Sequence, residues 1–182
     1  MNLTALNKIT TLTSNISKII WFKNVGKEID TQLSTYIENY CLKLNIDKKI
    51  NKVKKWDEAI NVINDKDWNK ICWKLEEKEK ANLLSILIEN NNETEVLSNL
   101  RDLTLESSKI IEYFSIADIK KDDMRYQYYS KVAAGAAAIC CYQAALAIAT
   151  NQENNHIFIS KYELFKAGHW PLIIKTNTFN IF

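Results

Sequence analysis

The chain has 182 residues, a formal net charge of +2 and 47% apolar residues, which is the composition of an ordinary globular protein. It contains only three Gly and one Pro, against a usual combined share of about 12%. This scarcity excludes collagen-like sequence, glycine-rich phosphate loops and turn-dense β-sandwiches. The composition therefore predicts one helical domain over residues 1–182.

The first third of the chain predicts a series of amphipathic helices. Apolar residues at three- and four-residue spacing predict helices over 3–22, 28–44 and 56–64. Gly26 is expected to end the first of them. The polar and basic stretch 45–55 is predicted to be a connector.

The next helix contains a conflict between charge and periodicity. Asp67 is its predicted N-cap, and a continuous helix would place Glu79 among the buried positions. We therefore expect a break or kink near Glu76, followed by a second helix that ends near Ile88. Before the break, the residues expected to face the core are Trp68, Ile71, Cys72 and Leu75.

A helix over 93–116 is followed by the most informative segment of the chain, 124–150. From Val132 to Thr150 there are 19 residues without a charge, and nine of them are Ala. Length and charge alone would allow a membrane span. However, Ala is a weak driver of insertion and Gln143 lies in the middle, so we predict the buried central helix of a bundle, at about 132–150.

The C-terminal part predicts a capped corner and an extended tail. A short helix over 160–167 is expected to end at Gly168, because glycine tolerates the left-handed conformation, and Pro171 prevents the helix from resuming. The β-branched and aromatic tail after Pro171 predicts a short extended strand, or a hairpin that turns at Thr176-Asn177. The predicted fold is thus all-α: a single-domain multi-helix bundle around an Ala-rich helix, with a short extended or hairpin C-terminal tail.

Motifs for catalysis, metals and cofactors are missing from the sequence. It has no phosphate-binding loop, dinucleotide fingerprint, zinc-protease motif or nucleophile elbow. The four cysteines do not have the spacing of metal ligands. We interpret them as reduced residues of the core, which favours a cytoplasmic protein. We therefore predict no catalytic residue, no metal site and no cofactor, and expect that the protein is not an enzyme.

The net charge of +2 conceals a gradient along the chain. Residues 1–60 carry ten basic and six acidic side chains, a net charge of +4. Residues 61–120 carry eight basic and twelve acidic side chains, a net charge of −4. Such asymmetry either steers a partner or forms an ordinary solvated face. A lysine cluster at 48–55 is adjacent to Trp56, but the small overall excess and the scarcity of Arg argue against nucleic-acid binding.

Two sequence motifs resemble those of a known class of proteins. Near the C-terminus the chain reads Leu164-Phe165-Lys166-Ala167-Gly168-His169-Trp170-Pro171, followed by an apolar strand, and upstream it reads Trp56-Asp57-Glu58-Ala59-Ile60 and then Asp67-Trp68. Together with the helical layout, these motifs resemble small helical immunity proteins of bacterial contact-dependent inhibition and polymorphic-toxin systems. The resemblance implies a protein that binds and neutralises one cognate toxin, for which a nuclease is a candidate class.

This resemblance and the charge gradient lead to a predicted toxin-binding surface in the acidic central third. The C-terminal motif also has a purely structural interpretation. In that interpretation Gly168, Trp170 and Pro171 form a corner of the fold and do not contact a toxin. We expect neither nucleic acid nor a membrane among the partners. The alternatives are a helical adaptor or regulatory protein outside toxin systems, and a helical bundle with a ligand pocket formed by His156, His169 and a cysteine. The predicted toxin-binding residues are Asp65, Asp67, Glu76, Glu77, Glu79, Glu93 and Glu95.

Overall fold

The structure is a computed structural model that describes residues 3–47, 49–89, 93–117, 124–154 and 156–182. Within these ranges the chain forms seven helices and three short strands, so the fold is mainly α. The helices are α1 (Leu3–Ile16), α2 (Thr31–Lys43), α3 (Trp56–Ile63), α4 (Lys70–Glu89), α5 (Glu93–Ala117), α6 (Met124–Ala149) and α7 (Ile157–Lys166). The strands are β1 (Lys49–Lys52), β2 (Pro171–Lys175) and β3 (Thr178–Ile181).

Helix α6 lies at the centre of the structure, as its uncharged sequence predicts. It contacts α1, α4, α5 and α7, and most of its residues from Ala133 to Ala149 are buried. By length and composition α6 is also apolar enough to cross a membrane, but 67% of its most apolar window is buried against the rest of the protein. Its small side chains let the surrounding helices approach closely, which is the packing expected of a core helix.

The small sheet corrects the prediction of a purely helical fold. Its strand order is β1-β3-β2, with β3 antiparallel to β2 and parallel to β1. The predicted hairpin at Thr176-Asn177 is present, with Thr176 at a φ of +37°. The stretch 45–55 was predicted to be a connector, but it contains β1. This strand joins the sheet by pairing with β3, which is distant in the chain. Asn51 of β1 donates a hydrogen bond of 2.8 Å to the Asn180 side chain of β3.

Helix α4 is continuous, so the predicted break near Glu76 is wrong. Asn69 begins the helix, because its Oδ1 accepts hydrogen bonds from the backbone N–H groups of Ile71 and Cys72 at 3.0 and 3.1 Å. The predicted cap at Asp67 is therefore displaced by two residues. Ile71 is 70% exposed and Trp68 is partly exposed, whereas Cys72 is buried as predicted.

The C-terminal corner joins the last helix to the sheet. Gly168 has a φ of +88°, and its backbone carbonyl accepts a hydrogen bond from the N–H of Asn24 at 3.0 Å. Trp170 is buried against Phe22 and Trp56, with ring centroids 6.2 and 5.8 Å away. The N–H of Trp170 donates to the carbonyl of Phe182, the last residue of the chain, at 2.6 Å.

The corner yields a test of the stability of the fold. A Cβ on Gly168 would lie 2.9 Å from the backbone oxygen of Ile20, and the positive φ is itself unfavourable for any residue with a side chain. Gly168→Ala is expected to lower the free energy of unfolding by about 1–3 kcal/mol in urea denaturation. The matched control is Gly135→Ala in α6, where a Cβ meets no atom within 4 Å. This control should raise the stability by about 0.5–1 kcal/mol, and an equal loss in both variants would contradict the prediction.

Candidate functional site

A solvent-open groove lies between α4, α6 and the segment from Trp170 to Ile174 that includes β2; we call it the α4 groove. It encloses about 410 Å³, which is within the usual size range of ligand and side-chain pockets. It has three notable features: an aromatic rim, an ion-paired floor and one buried amide oxygen without a hydrogen-bond partner.

The rim of the α4 groove carries large apolar side chains that are open to solvent. Trp68 and Trp73 are 38% and 50% exposed, and their rings meet edge to face with centroids 6.0 Å apart. Across the groove, Ile139 of α6 is 57% exposed. Exposed Trp side chains grouped with other apolar groups are typical of protein-binding surfaces.

The floor contains a partly buried network around Glu76 of α4. Lys161 of α7 donates to Glu76 Oε1 at 2.8 Å, and the Tyr40 hydroxyl of α2 donates to the same oxygen at 2.5 Å. The Lys161 ammonium also lies 5.8 Å from the centre of the Tyr40 ring. Burial alone would lower the pKa of Lys161, but the Glu76 carboxylate raises it above its ordinary value. Burial, followed by the same carboxylate, raises the pKa of Tyr40 well above its usual range.

The unpaired oxygen belongs to Gln143, in the middle of α6. This residue lines the groove and is only 3% exposed, and its Oε1 is buried without a hydrogen-bond partner in the described part of the chain. Buried polar atoms are nearly always paired, and the other exception among the described residues is Glu153 Oε2, whose residue lines a second groove.

The seven predicted toxin-binding acids occupy different surroundings. Glu76 and Glu77 line the α4 groove, whereas Asp65 and Asp67 do not line it and lie three and one residues before Trp68 in the sequence. Three of these four already have basic neighbours: Asp65 pairs with Lys175, Glu76 with Lys161, and Glu77 with Lys80 at 2.5 Å. The other three acids are not among the groove residues: Glu79 lies 3.9 Å from His156 Nε2, and Glu93 and Glu95 are exposed in the first turn of α5.

Sequence reasoning missed the residues that give the groove its chemistry, which are Tyr40, Trp73, Gln143 and Lys161. Two signals for them were present. Gln143 is the one amide within the uncharged run of α6, and Glu76 was already among the predicted toxin-binding acids. Its partner Lys161 could not be identified, because it lies 85 residues further along the chain.

A second, larger groove of about 910 Å³ lies between α1, α6 and α7. Its basic and acidic residues include the pair Lys8–Glu153, with 2.5 Å between Nζ and Oε1. Ile20, which is 42% exposed, is its most open large apolar residue. This groove lacks the aromatic rim of the α4 groove, which is therefore the better candidate for a binding site.

The cysteines and histidines do not form a site in the described residues. No group of three His, Cys, Asp or Glu side chains there is arranged to hold a metal ion. All four cysteines are buried free thiols, and burial raises the pKa of Cys141 to about 12, which makes its thiol a poor nucleophile. His156 and His169 are buried, and neither lines the two grooves described above.

Comparisons with known proteins found no relative for this chain. No family model, no curated protein and no solved structure matches it.

The floor network predicts strong coupling between Glu76 and Lys161, whose side chains are only 12% and 20% exposed. Lys161→Met should lower the free energy of unfolding by about 3 kcal/mol, because the Glu76 carboxylate loses its counter-ion while remaining mostly buried. In a double-mutant cycle with Glu76→Gln, we expect a coupling energy of about 1–3 kcal/mol in urea denaturation.

The matched control for this cycle is the more exposed pair Glu77–Lys80 on the same helix. Its coupling, from Glu77→Gln and Lys80→Met, should stay below about 0.5 kcal/mol, as for other surface ion pairs. Equal coupling energies in the two pairs would show that Glu76 and Lys161 interact no more strongly than an ordinary surface ion pair.

His156 predicts a loss of stability at acidic pH. Its Nδ1 accepts a hydrogen bond from the N–H of Phe158 at 3.2 Å, and burial lowers its pKa below 6.5, although Glu79 partly opposes this. The unfolded chain therefore binds a proton more readily, and stability should fall as the pH drops below about 6.5. In His156→Asn, which keeps an N-cap acceptor, the pH slope of the unfolding free energy between about pH 7 and 5.5 should be smaller. An unchanged slope would contradict the assignment.

Proposed function

We propose that this protein is an immunity protein that binds and neutralises a cognate bacterial toxin domain by direct contact. The observation that carries the proposal is the α4 groove, which two exposed tryptophans line together with two of the seven predicted toxin-binding acids, Glu76 and Glu77. The C-terminal motif that resembles immunity proteins ends beside the same groove, since Trp170 and Pro171 are among its lining residues.

The rim tryptophans are the expected anchors of this interaction. Tryptophan is enriched among the few residues that dominate binding energy, and an aromatic side chain can bury about 150–250 Å² on contact. Trp68 and Trp73 expose apolar surface to water, which a partner would cover. Because the two tryptophans lie on one side of a groove, we expect the partner to insert a protruding segment rather than to present a flat surface.

The charges around the groove refine the proposal. Asp65, Glu76 and Glu77 each have a basic neighbour, which leaves Asp67 as the exposed acid next to the rim. We therefore assign most of the affinity to apolar contact and hydrogen bonding. The net charge of −4 in the central third of the sequence would steer a basic toxin, such as a nuclease, towards this side.

The remaining expectations belong to the same proposal. An inhibitor that acts by occlusion needs no catalytic residue and no cofactor, and it works where the toxin acts, which we place in the cytoplasm. Nucleic acid and membranes are not partners in this proposal. The wider acidic set, with Glu79, Glu93 and Glu95, would contribute to steering rather than to the contact itself.

The proposal is tested with the product of the gene immediately upstream, where a toxin gene is expected. Co-expression of this chain should abolish the toxicity of that product, and the two proteins should form a complex that titration calorimetry detects. Trp73→Ala should lower the affinity by about 30-fold, the effect of losing an interface anchor worth about 2 kcal/mol.

The matched control is Leu105→Ala on α5, because Leu105 is 49% exposed, close to the 50% of Trp73, and does not line the groove. Its affinity should equal that of the unaltered protein. If the upstream product is neither toxic nor bound, the proposed function is wrong, and a helical adaptor outside toxin systems takes its place. If Leu105→Ala weakens binding as much as Trp73→Ala, the groove is not the contact surface.

A further inference from the structure

We propose that the outer edge of β1 is a docking site for an acidic, extended segment of a partner protein, which adds to the sheet as a further strand. The outer strands of the sheet are β1 and β2, and only β2 borders the α4 groove, so this edge is a separate surface. The inference does not rest on the proposed function. Two observations carry it: backbone groups of β1 that point away from the sheet, and lysines that outnumber the acids along the same edge.

The hydrogen-bond pattern of β1 leaves alternate backbone groups without a neighbouring strand. Val53, directly after β1, donates its N–H to the carbonyl of Ile181 in β3 at 2.8 Å. Successive residues of a strand direct their N–H and C=O groups to opposite sides, so Asn51 faces β3 like Val53. The N–H and C=O groups of Ile50 and Lys52 therefore point outward. All four residues of β1 are exposed, which leaves this edge accessible to another strand.

The other edge of the sheet is already covered by the chain itself. Trp68 forms a β-bridge with Lys175 of β2, and the N–H of Asn69 donates to the carbonyl of Ile174 at 2.7 Å. Among the described residues, no comparable segment bonds to the outer side of β1. The backbone groups there match those of an extended chain, which is the means by which peptides add to sheet edges.

The charges along β1 favour an acidic occupant. Residues 49–55 contain four lysines and no acid. Lys52 pairs with Glu28 at 2.5 Å, and the other three lysines form no ion pair with a described residue. Lysine on an edge strand deters pairing with a second copy of the same strand, because like charges on adjacent strands repel each other. The same side chains attract a strand that carries Asp or Glu.

The extent of the open edge defines the occupant further. The edge closes at Lys54, because a Cβ on Gly26 would lie 2.5 Å from the backbone oxygen of Lys54. Ile50 is 37% exposed and offers apolar contact beside the lysines. A segment in which acidic residues alternate with β-branched residues fits both features, since β-branched residues favour the extended conformation and alternate side chains point to opposite faces.

The test uses a short synthetic peptide in which Glu and Val alternate. It is titrated at low ionic strength into the full-length ¹⁵N-labelled protein, and binding is followed by NMR. The amide proton signals of Ile50 and Lys52 should shift downfield because they gain hydrogen bonds, whereas that of Asn51, which already faces β3, should change less. The same peptide with Lys in place of Glu should bind at least about tenfold more weakly.

Matched controls separate strand addition from simple charge attraction. The acidic peptide with N-methylated central amides keeps its charge but loses its donors, and it should bind about 30-fold more weakly, the effect of two hydrogen bonds of about 1 kcal/mol each. Ile50→Pro removes an outward N–H and no bond to β3, because proline is tolerated where the N–H of an edge strand faces solvent. It should lower the affinity by about fivefold or more. Ile50→Ala keeps the N–H and should change the affinity by less than about threefold.

Several outcomes would overturn the docking edge. They are the absence of binding by the acidic peptide, equal binding of the acidic and basic peptides, equal binding of the N-methylated peptide, and equal amide shifts at Ile50 and Asn51. The N-methylated peptide tests the unaltered protein, so the question is decided even if Ile50→Pro does not fold. A dimer of the unaltered protein that Ile50→Pro abolishes would assign the edge to a second copy and overturn the acidic partner. A non-toxic, unbound upstream product overturns the immunity function alone and leaves the docking edge standing.

Discussion

The uncharged helix α6 is the constraint on which the other helices and the groove depend. From Val132 to Thr150 it has no charge with which to face water, so burial on nearly every side is its stable arrangement in a folded chain. Four helices provide that burial, and the small side chains of α6 bring them close together. Any polar group that these neighbours direct towards α6 must then find a partner within the protein.

The Glu76 network follows from this constraint. The long helix α4 packs on α6 and buries Cys72, Leu83 and Leu87, and the intervening turns carry Glu76 into partly buried surroundings. Lys161 from α7 and Tyr40 from α2 satisfy it, so one carboxylate joins three helices. Such a network contributes less to stability than a well-packed apolar contact of the same volume, and its more certain contribution is to fix the relative positions of the helices.

Much of the fold could be predicted from local patterns, and much of the groove could not. The uncharged run identified α6, and the turn at Thr176-Asn177 follows from short-range chemistry, whereas the predicted buried face of α4 is wrong at Ile71. Strand β1 was missed because its pairing is made with β3, and Asn51 and Asn180 are 129 residues apart. The break predicted in α4 was wrong for another reason: the continuous helix leaves the Glu79 side chain 44% exposed, so no buried carboxylate has to be avoided at that position.

Gln143 is the amide residue in the uncharged run of α6, and its oxygen is left unpaired by the described part of the chain. An apolar residue at this position would suit the uncharged surroundings of α6 better, yet the sequence keeps an amide whose oxygen has no partner in the described chain. Glu76 shows that this fold can pair a buried polar group where the group serves the packing, because its partners come from two other helices. The contrast between the paired carboxylate and the unpaired amide oxygen therefore separates a polar group that holds helices together from one that lowers the stability of the free protein.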